Sequence, residues 1–210
     1  MPISLTEMNT VLGTDGADEI ILTGGTTTGA QNVQAGVGDD LVKLNGVSGL
    51  ANGEEDNDTL IGNHGRDTLL GGEGEDLLRG EGGSDIMMGG EGDDVAYGGA
   101  DNDRIFGGAG EDTIIGGNEN DVLSGDDRSN ADAADVFVFD NEDGADRILD
   151  FDSLDSIELI GDGTEAYTIT TSGSNAILTY GSTTVTLLGA AAELDASDIT
   201  YVDASTYDFL

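Results

Sequence analysis

The chain reads as an all-β protein: a parallel β-solenoid of stacked nine-residue turns, followed by a small antiparallel β module. Three observations predict it. Between Gly53 and Ser124 eight nine-residue units follow one another without a gap: GEEDNDTLI, GNHGRDTLL, GGEGEDLLR, GEGGSDIMM, GGEGDDVAY, GGADNDRIF, GGAGEDTII and GGNENDVLS. Every unit carries aspartate at position 6 and an apolar residue or alanine at or beside position 8, the G-G-x-G-x-D-x-U-x pattern of calcium-binding parallel β-helices. After the repeats the period gives way to alternating segments, YTITT, AILTY and TTVTLL, with Gly181 and Ser182 placed for a hairpin turn.

The units justify the turns, the strands and the metal in that order. Positions 1, 2 and 4 are mostly glycine, which lets the backbone turn tightly and aim carbonyl oxygens inward with no Cβ in the way. The candidate ligands are the position-6 carboxylates Asp58, Asp67, Asp76, Asp85, Asp94, Asp103, Asp112 and Asp121. With them go the turn backbones at Gly62, Gly71, Gly74, Gly80, Gly83, Gly89, Gly92, Gly98, Gly107, Gly110 and Gly116. Carboxylates and carbonyls form an all-oxygen donor set. Calcium takes six to eight oxygens at loose geometry, magnesium demands a stricter octahedron, and zinc prefers histidine and cysteine, of which the chain has one and none. Position 8 supplies the interior: Leu60, Leu69, Leu78, Met87, Ala96, Ile105, Ile114 and Leu123. One such side chain per nine residues makes a thin core.

These units resemble the β-roll of the RTX (repeats-in-toxin, hemolysin-type) calcium-binding proteins, a secreted family of Gram-negative bacteria. The resemblance implies that two nonapeptides form one coil, and that each ion sits between stacked turns one coil apart, held by position-6 carboxylates and backbone carbonyls. Units beginning at 53, 71, 89 and 107 then form one edge of the roll, and those at 62, 80, 98 and 116 the other. Upstream, AGVGDDLVK at 35–43 places Asp40 eighteen residues before Asp58 and adds it to the first ladder. LNGVSGLAN between them has Gly49 at position 6 and Ala51 at position 8, a half-coil without a full site. Counting gaps between successive carboxylates gives about seven calcium ions. Asp56, Asp101 and Glu119 replace glycine at position 4; a left-handed turn tolerates aspartate better than glutamate, so the calcium site at the last unit is expected to be compromised.

The resemblance extends to the end of the chain. Ala134 to Phe139 (A-D-x-F-V-F) and Asp146 to Phe151 (D-x-I-x-D-F) are similar to the segment that closes such rolls in serralysin-like secreted proteases. In the family the C-terminal segment carries an uncleaved type I secretion signal, often an acidic residue followed by apolar ones; Asp208, Phe209 and Leu210 match. Three regions are expected: irregular N-terminal capping coils at 1–34, the β-roll at 35–133, and the C-terminal module with the secretion signal at 134–210. The capping coils follow from Asp18, which lies 22 residues before Asp40 and so out of register.

Composition narrows the function. With 6 basic and 44 acidic residues the formal charge is −38, and Leu, Ile, Val and Phe make up roughly a quarter of the chain, close to the disordered class unless the charge is neutralised. A bound ion at 100 times its dissociation constant adds about 2.7 kcal/mol, so a few sites decide whether the roll folds. The predicted behaviour is an unfolded chain at cytosolic calcium and a folded one outside the cell. The N-terminus MPISLTEMNTVLG has no signal-peptide pattern, and no run spans a bilayer. With no cysteine there are no disulfides. His64, the only histidine, excludes an H-E-x-x-H zinc site and, at variable position 3 of its repeat, reads as an exposed turn residue rather than the base of a Ser-His-Asp triad, and the acidic field excludes nucleic acid. Neighbouring carboxylates such as Asp93 and Asp94 are assigned by their period to calcium rather than to acid–base catalysis.

The reading is a secreted, non-catalytic calcium-binding protein, exported by a type I apparatus and extracellular; the initial methionine favours a complete chain. Its alternatives are an accessory calcium-binding or secretion module for a secreted protease, lipase or alginate epimerase, and an adhesin-like surface protein, although outward threonines such as Thr59, Thr68 and Thr113 are sparse for a regular array. Outward positions 7 and 9 place Leu70, Ile86, Met88, Phe106 and Val122 along one face, available for self-association or for packing on the C-terminal module.

Overall fold

A turn that closes on glycine and reopens after the position-6 aspartate leaves five or six residues for each strand. In the computed structural model, which describes residues 10–22, 31–46, 48–126, 133–192 and 194–207, the strands of the array are Thr59–Asn63, Thr68–Glu73, Leu77–Gly82, Ile86–Glu91, Val95–Ala100, Arg104–Ala109, Thr113–Gly117 and Val122–Asp126. Each begins directly after its aspartate. Consecutive strands enter opposite sheets, so sheet neighbours are eighteen residues apart and parallel: Leu60 pairs with Leu78, Leu78 with Ala96 and Ala96 with Ile114. In the facing sheet Ala51 pairs with Leu69, Leu69 with Met87, Met87 with Ile105 and Ile105 with Leu123. Alternation along each strand turns these position-8 side chains inward, and all of them are buried. Among the described residues the sheets hold 11 and 9 strands.

The same coil continues past both ends of the array, and this corrects the expected boundaries. Thr10–Leu12 pairs in parallel with Gln31–Val37, and Glu19–Ile21 with Leu41–Lys43, so the described part of residues 1–34 is regular roll rather than irregular coil. Val11 faces Val33 and Ile20 faces Val42. Both pairs are 22 residues apart, so the four residues beyond an 18-residue coil lie between Ile20 and Val33, and the strands on either side keep their phase. Toward the C-terminus, Val136–Phe139, Ser156–Ile160 and Ile199–Val202 extend one sheet in parallel, and Ala145–Ile148 and Thr183–Leu187 extend the other. Among the described residues the antiparallel pairs are Tyr167–Ser172 with Asn175–Tyr180 and Asn175–Tyr180 with Thr183–Leu187, the second joined by the turn at Gly181 and Ser182. Phe137, Ile148, Ile157 and Leu159 continue the buried stacks, so one apolar core runs from Val11 to Ile199 with no break at 133.

Two surface features follow from the register. Leu70, Met88 and Phe106 stand side by side on the outer face of one sheet, flanked by Ile86 and Val122; Met88 is the most open of them at 46% exposure. On the opposite sheet a short 3-10 helix, Ala204–Tyr207, brings Tyr207 over Ile115 and Val138, and its hydroxyl donates to Glu158 Oε2 at 2.5 Å. The expected secretion residues Asp208 to Leu210 lie outside the described residues. Among the described residues no helix is long and apolar enough to cross a membrane.

Glu119 adopts the expected left-handed turn at φ 83°, as do Asp56 at 73° and Asp101 at 76°. A side chain in this region costs roughly 1–2 kcal/mol relative to glycine. Glu119→Gly is therefore expected to raise stability in calcium by about 1 kcal/mol, read as a higher denaturant midpoint. A lower midpoint would mean that the glutamate side chain itself holds the turn.

Candidate metal centres

Each position-6 aspartate folds back into its own turn, where its two oxygens meet different fates. Oδ1 accepts the backbone N–H of the aspartate one coil earlier. On one edge Asp40 donates to Asp58 at 2.8 Å, Asp58 to Asp76 at 2.7 Å, Asp76 to Asp94 at 2.8 Å and Asp94 to Asp112 at 2.8 Å. On the other edge Asp67 donates to Asp85 at 2.7 Å, Asp85 to Asp103 at 2.8 Å and Asp103 to Asp121 at 2.7 Å. Oδ2 of Asp40, Asp58, Asp76, Asp85, Asp94, Asp103, Asp112 and Asp121 is buried with no hydrogen-bond partner. Leaving one such oxygen unpaired costs more than the average hydrogen bond contributes. Repeated in register along both edges, the feature marks positions where a cation or a proton completes the structure.

The glycines clear the space in front of these oxygens. A Cβ on Gly71 would collide with Asp76 Oδ2 and lie 2.5 Å from the carbonyl oxygen of Gly89; on Gly89 it would collide with Asp94 Oδ2 and lie 2.5 Å from the Gly107 carbonyl. Gly80 and Gly98 are placed in the same way against Asp85 and Asp103, Gly107 against Asp112 and the Gly125 carbonyl, and Gly116 against Asp121. At position 4, Gly74, Gly83, Gly92 and Gly110 have positive φ, and a Cβ there would collide with the carbonyl oxygens of Asp56, Gly65, Gly74 and Gly92. Carbonyls of one coil thus press directly onto the backbone of the next.

The donor set fits calcium. Among the described residues no three histidine, cysteine or carboxylate side chains cluster, so a cage here combines a carboxylate with backbone carbonyls, which suits calcium and not zinc. Asp67 is the exception among the predicted ligands. Its Oδ2 accepts the backbone N–H of Asn63 at 2.9 Å and the Asn63 side-chain amide at 3.0 Å, and its Oδ1 the N–H of Gly49 at 2.6 Å. Asparagine at position 2, where most units have glycine, supplies donors from within the same turn, so both Asp67 oxygens already accept hydrogen bonds.

Burial raises the proton affinity of the ladder. Desolvation, reinforced by neighbouring carboxylates and opposed by the N–H hydrogen bonds, pushes Asp58 and Asp94 up to about 7 and Asp85, Asp112 and Asp121 up to about 8. Asp103 rises to about 7, and Asp40, Asp67 and Asp76 are also raised by burial. A divalent cation would reverse this by favouring the ionised form.

Four ladder members lie beyond the regular spacing. Asp18 N–H donates to Asp40 Oδ1 at 2.5 Å, Asp112 N–H to Asp135 Oδ1 at 2.9 Å, Asp121 N–H to Asp146 Oδ1 at 2.9 Å, and Asp135 N–H to Asp155 Oδ1 at 3.1 Å. A signal for one of them was present: NEDGADRIL at 141–149 keeps Gly144 at position 4, Asp146 at position 6 and Ile148 at position 8. It falls out of phase only because it starts 25 residues after the unit at 116.

The family model for the RTX calcium-binding nonapeptide repeat (4 copies) matches residues 52–87, 79–114 and 88–123. No curated protein matches the chain. Among solved structures, the extracellular lipase LipA from Serratia marcescens is 18% identical with a TM-score of 0.35, over 85% of this chain and 41% of the lipase. The AlgE6R3 subunit of the Azotobacter vinelandii mannuronan C5-epimerase is 27% identical with a TM-score of 0.22, over 70% of this chain and 80% of the subunit. The chain thus spans less than half the length of the lipase.

Proposed function

The repeat array at residues 52–123 belongs to the RTX calcium-binding nonapeptide family, and from that premise we propose that the protein is a secreted, non-catalytic calcium-binding β-roll that folds when it meets calcium outside the cell. The observation that carries this reading is the buried, unpartnered Oδ2 repeated in register and facing space that glycine leaves open. Bound calcium supplies positive charge and loose oxygen coordination. The chain's own part is to hold each carboxylate by its Oδ1 hydrogen bond, to aim carbonyls of adjacent turns at the same space, and to exclude water by close stacking. A protein held this way has a reason to cross the exporter unfolded, since cytosolic calcium is too dilute to fill such sites.

Two measurements test the proposal separately. Equilibrium dialysis against calcium tests the ligand, and no uptake at millimolar calcium overturns it. Expression of the chain in a Gram-negative host with and without a type I exporter tests secretion: protein in the medium only when the exporter is present supports it, and equal amounts in both cultures overturn it. The outer row of Leu70, Met88 and Phe106 further supports self-association of the folded roll, which sedimentation in calcium would read as a concentration-dependent rise in mass.

A further inference from the structure

We propose that the calcium ladder runs one coil past the nonapeptide array on each edge, with one site at Asp135 and another at Asp146. This rests on the calcium reading of the array and extends it to residues outside the repeats. Asp135 and Asp146 are each 1% exposed, and each anchors its Oδ1 to the preceding rung, Asp112 or Asp121, at 2.9 Å. Each leaves Oδ2 buried without a hydrogen-bond partner. That is the condition of the carboxylates within the array other than Asp67.

The turns around them are built in the same way. A Cβ on Gly125 would collide with Asp135 Oδ2, and the Gly125 carbonyl oxygen points at the Gly107 cradle, 2.7 Å from where a Cβ would stand. Asp150 sits beside this turn: its Oδ1 accepts the Gly125 N–H at 3.1 Å and its Oδ2 the Ser124 hydroxyl, which brings a second carboxylate to the site. At the other edge Gly144 has φ 116°, and a Cβ there would collide with the Glu119 carbonyl, the same crossing that Gly74 and Gly92 make within the array.

What separates these two residues from mere structural aspartates is how the ladder ends elsewhere. Asp18 Oδ2 accepts the N–H of Thr14 at 2.6 Å and its hydroxyl at 3.0 Å; Asp67 Oδ2 accepts both Asn63 donors; Asp155 Oδ2 accepts the Asp152 N–H at 2.8 Å. At each of these ends the local turn supplies its own donors, and no cation is needed. At Asp135 and Asp146 no donor is supplied, so the ladder of ions ends one rung later than the nonapeptide pattern does. Closing the C-terminal coils then depends on calcium as the repeats do, even though their loops have lost the glycine pattern.

The probe is calcium alone. Asp135→Asn and Asp146→Asn are each expected to lower bound calcium by one ion in equilibrium dialysis of the full chain, whereas Asp155→Asn lowers it by none. Unchanged stoichiometry in both variants would overturn the proposal. Because a variant in the closing coil can fail to fold, lanthanide-soaked crystals of the wild-type protein give an independent reading. Anomalous peaks beside Asp135 Oδ2 and Asp146 Oδ2 are expected, and peaks confined to Asp40 through Asp121 would overturn it. A wild-type chain that takes up no calcium at all would instead remove the reading on which this rests.

Discussion

Chelation of calcium at pH 8 is expected to abolish most of the strand signal in circular dichroism, and millimolar calcium to restore it. The ladder buries a carboxylate in each of the eight units of the array, and with formal charge −38 there is little opposite charge to compensate. Without a cation each buried group either stays ionised, unsolvated, or takes up a proton. Each filled site at 100 times its dissociation constant adds about 2.7 kcal/mol, and several together exceed the roughly 5–15 kcal/mol net stability of an ordinary domain. A strand signal that survives chelation would show that the thin core suffices. Acid should substitute in part for the ion. Asp85, Asp112 and Asp121 are raised from 3.8 to about 8, so the folded apo chain binds more protons than the unfolded one. The stabilisation is fully present below the unfolded value near 3.8 and is lost as pH rises through about 7 to 8. In chelator, lowering pH from 8 toward 5 should therefore increase strand content, while the same change weakens calcium binding because proton and ion compete for the same oxygens. Acid that reduces strand content in chelator would refute the buried-carboxylate account.

The sequence disclosed what periodicity can carry. Eighteen-residue pairing, the position-6 rungs and the position-8 stacks all appear where the nonapeptide phase places them, because in a parallel roll the phase is the register. The Gly181–Ser182 hairpin was equally legible, since the turn chemistry is local. Asp18, Asp135, Asp146 and Asp155 were hidden by insertions that lengthen the loops between strands. The hydrogen-bond ladder needs only the strand register and does not count loop residues, so a rung 23 or 25 residues on is as well placed as one at 18. The segments YTITT, AILTY and TTVTLL do pair antiparallel, as their alternation and hairpin turn predict, whereas the parallel strands Val136–Phe139 and Ser156–Ile160 beside the array carry no nonapeptide period to announce them. Asp67 differs from the other rungs through one neighbour, Asn63, whose side chain reaches back to it in a contact that the nonapeptide phase does not encode.

The second large effect is a reversal of sign at a single site, expected from Asp94→Asn and Gly89→Ala. Asp94 is held by the Asp76 N–H at Oδ1, and burial lifts it to about 7, so at pH 8 it is mostly a buried anion. Asparagine keeps an oxygen for that N–H, removes the charge, and turns an amide toward the Gly107 carbonyl. In chelator, with enough sucrose to refold part of the population, Asp94→Asn should therefore be more folded than wild type. In millimolar calcium it should be less stable by about 2.7 kcal/mol for each ion lost at 100-fold saturation. Gly89 is not among the residues with positive φ, so Gly89→Ala adds no backbone strain of that kind; its methyl instead fills the cradle against Asp94 Oδ2 and the Gly107 carbonyl. It should lose the ion in calcium, and in chelator its methyl still crowds the buried carboxylate and carbonyl, so it should fall below wild type in both conditions. Denaturant midpoints order the three proteins: Asn variant, wild type, Ala variant in chelator, and wild type first in calcium. If Asp94→Asn is equally destabilised with and without calcium, the carboxylate serves the turn without an ion, and the ladder does not bind metal through Oδ2.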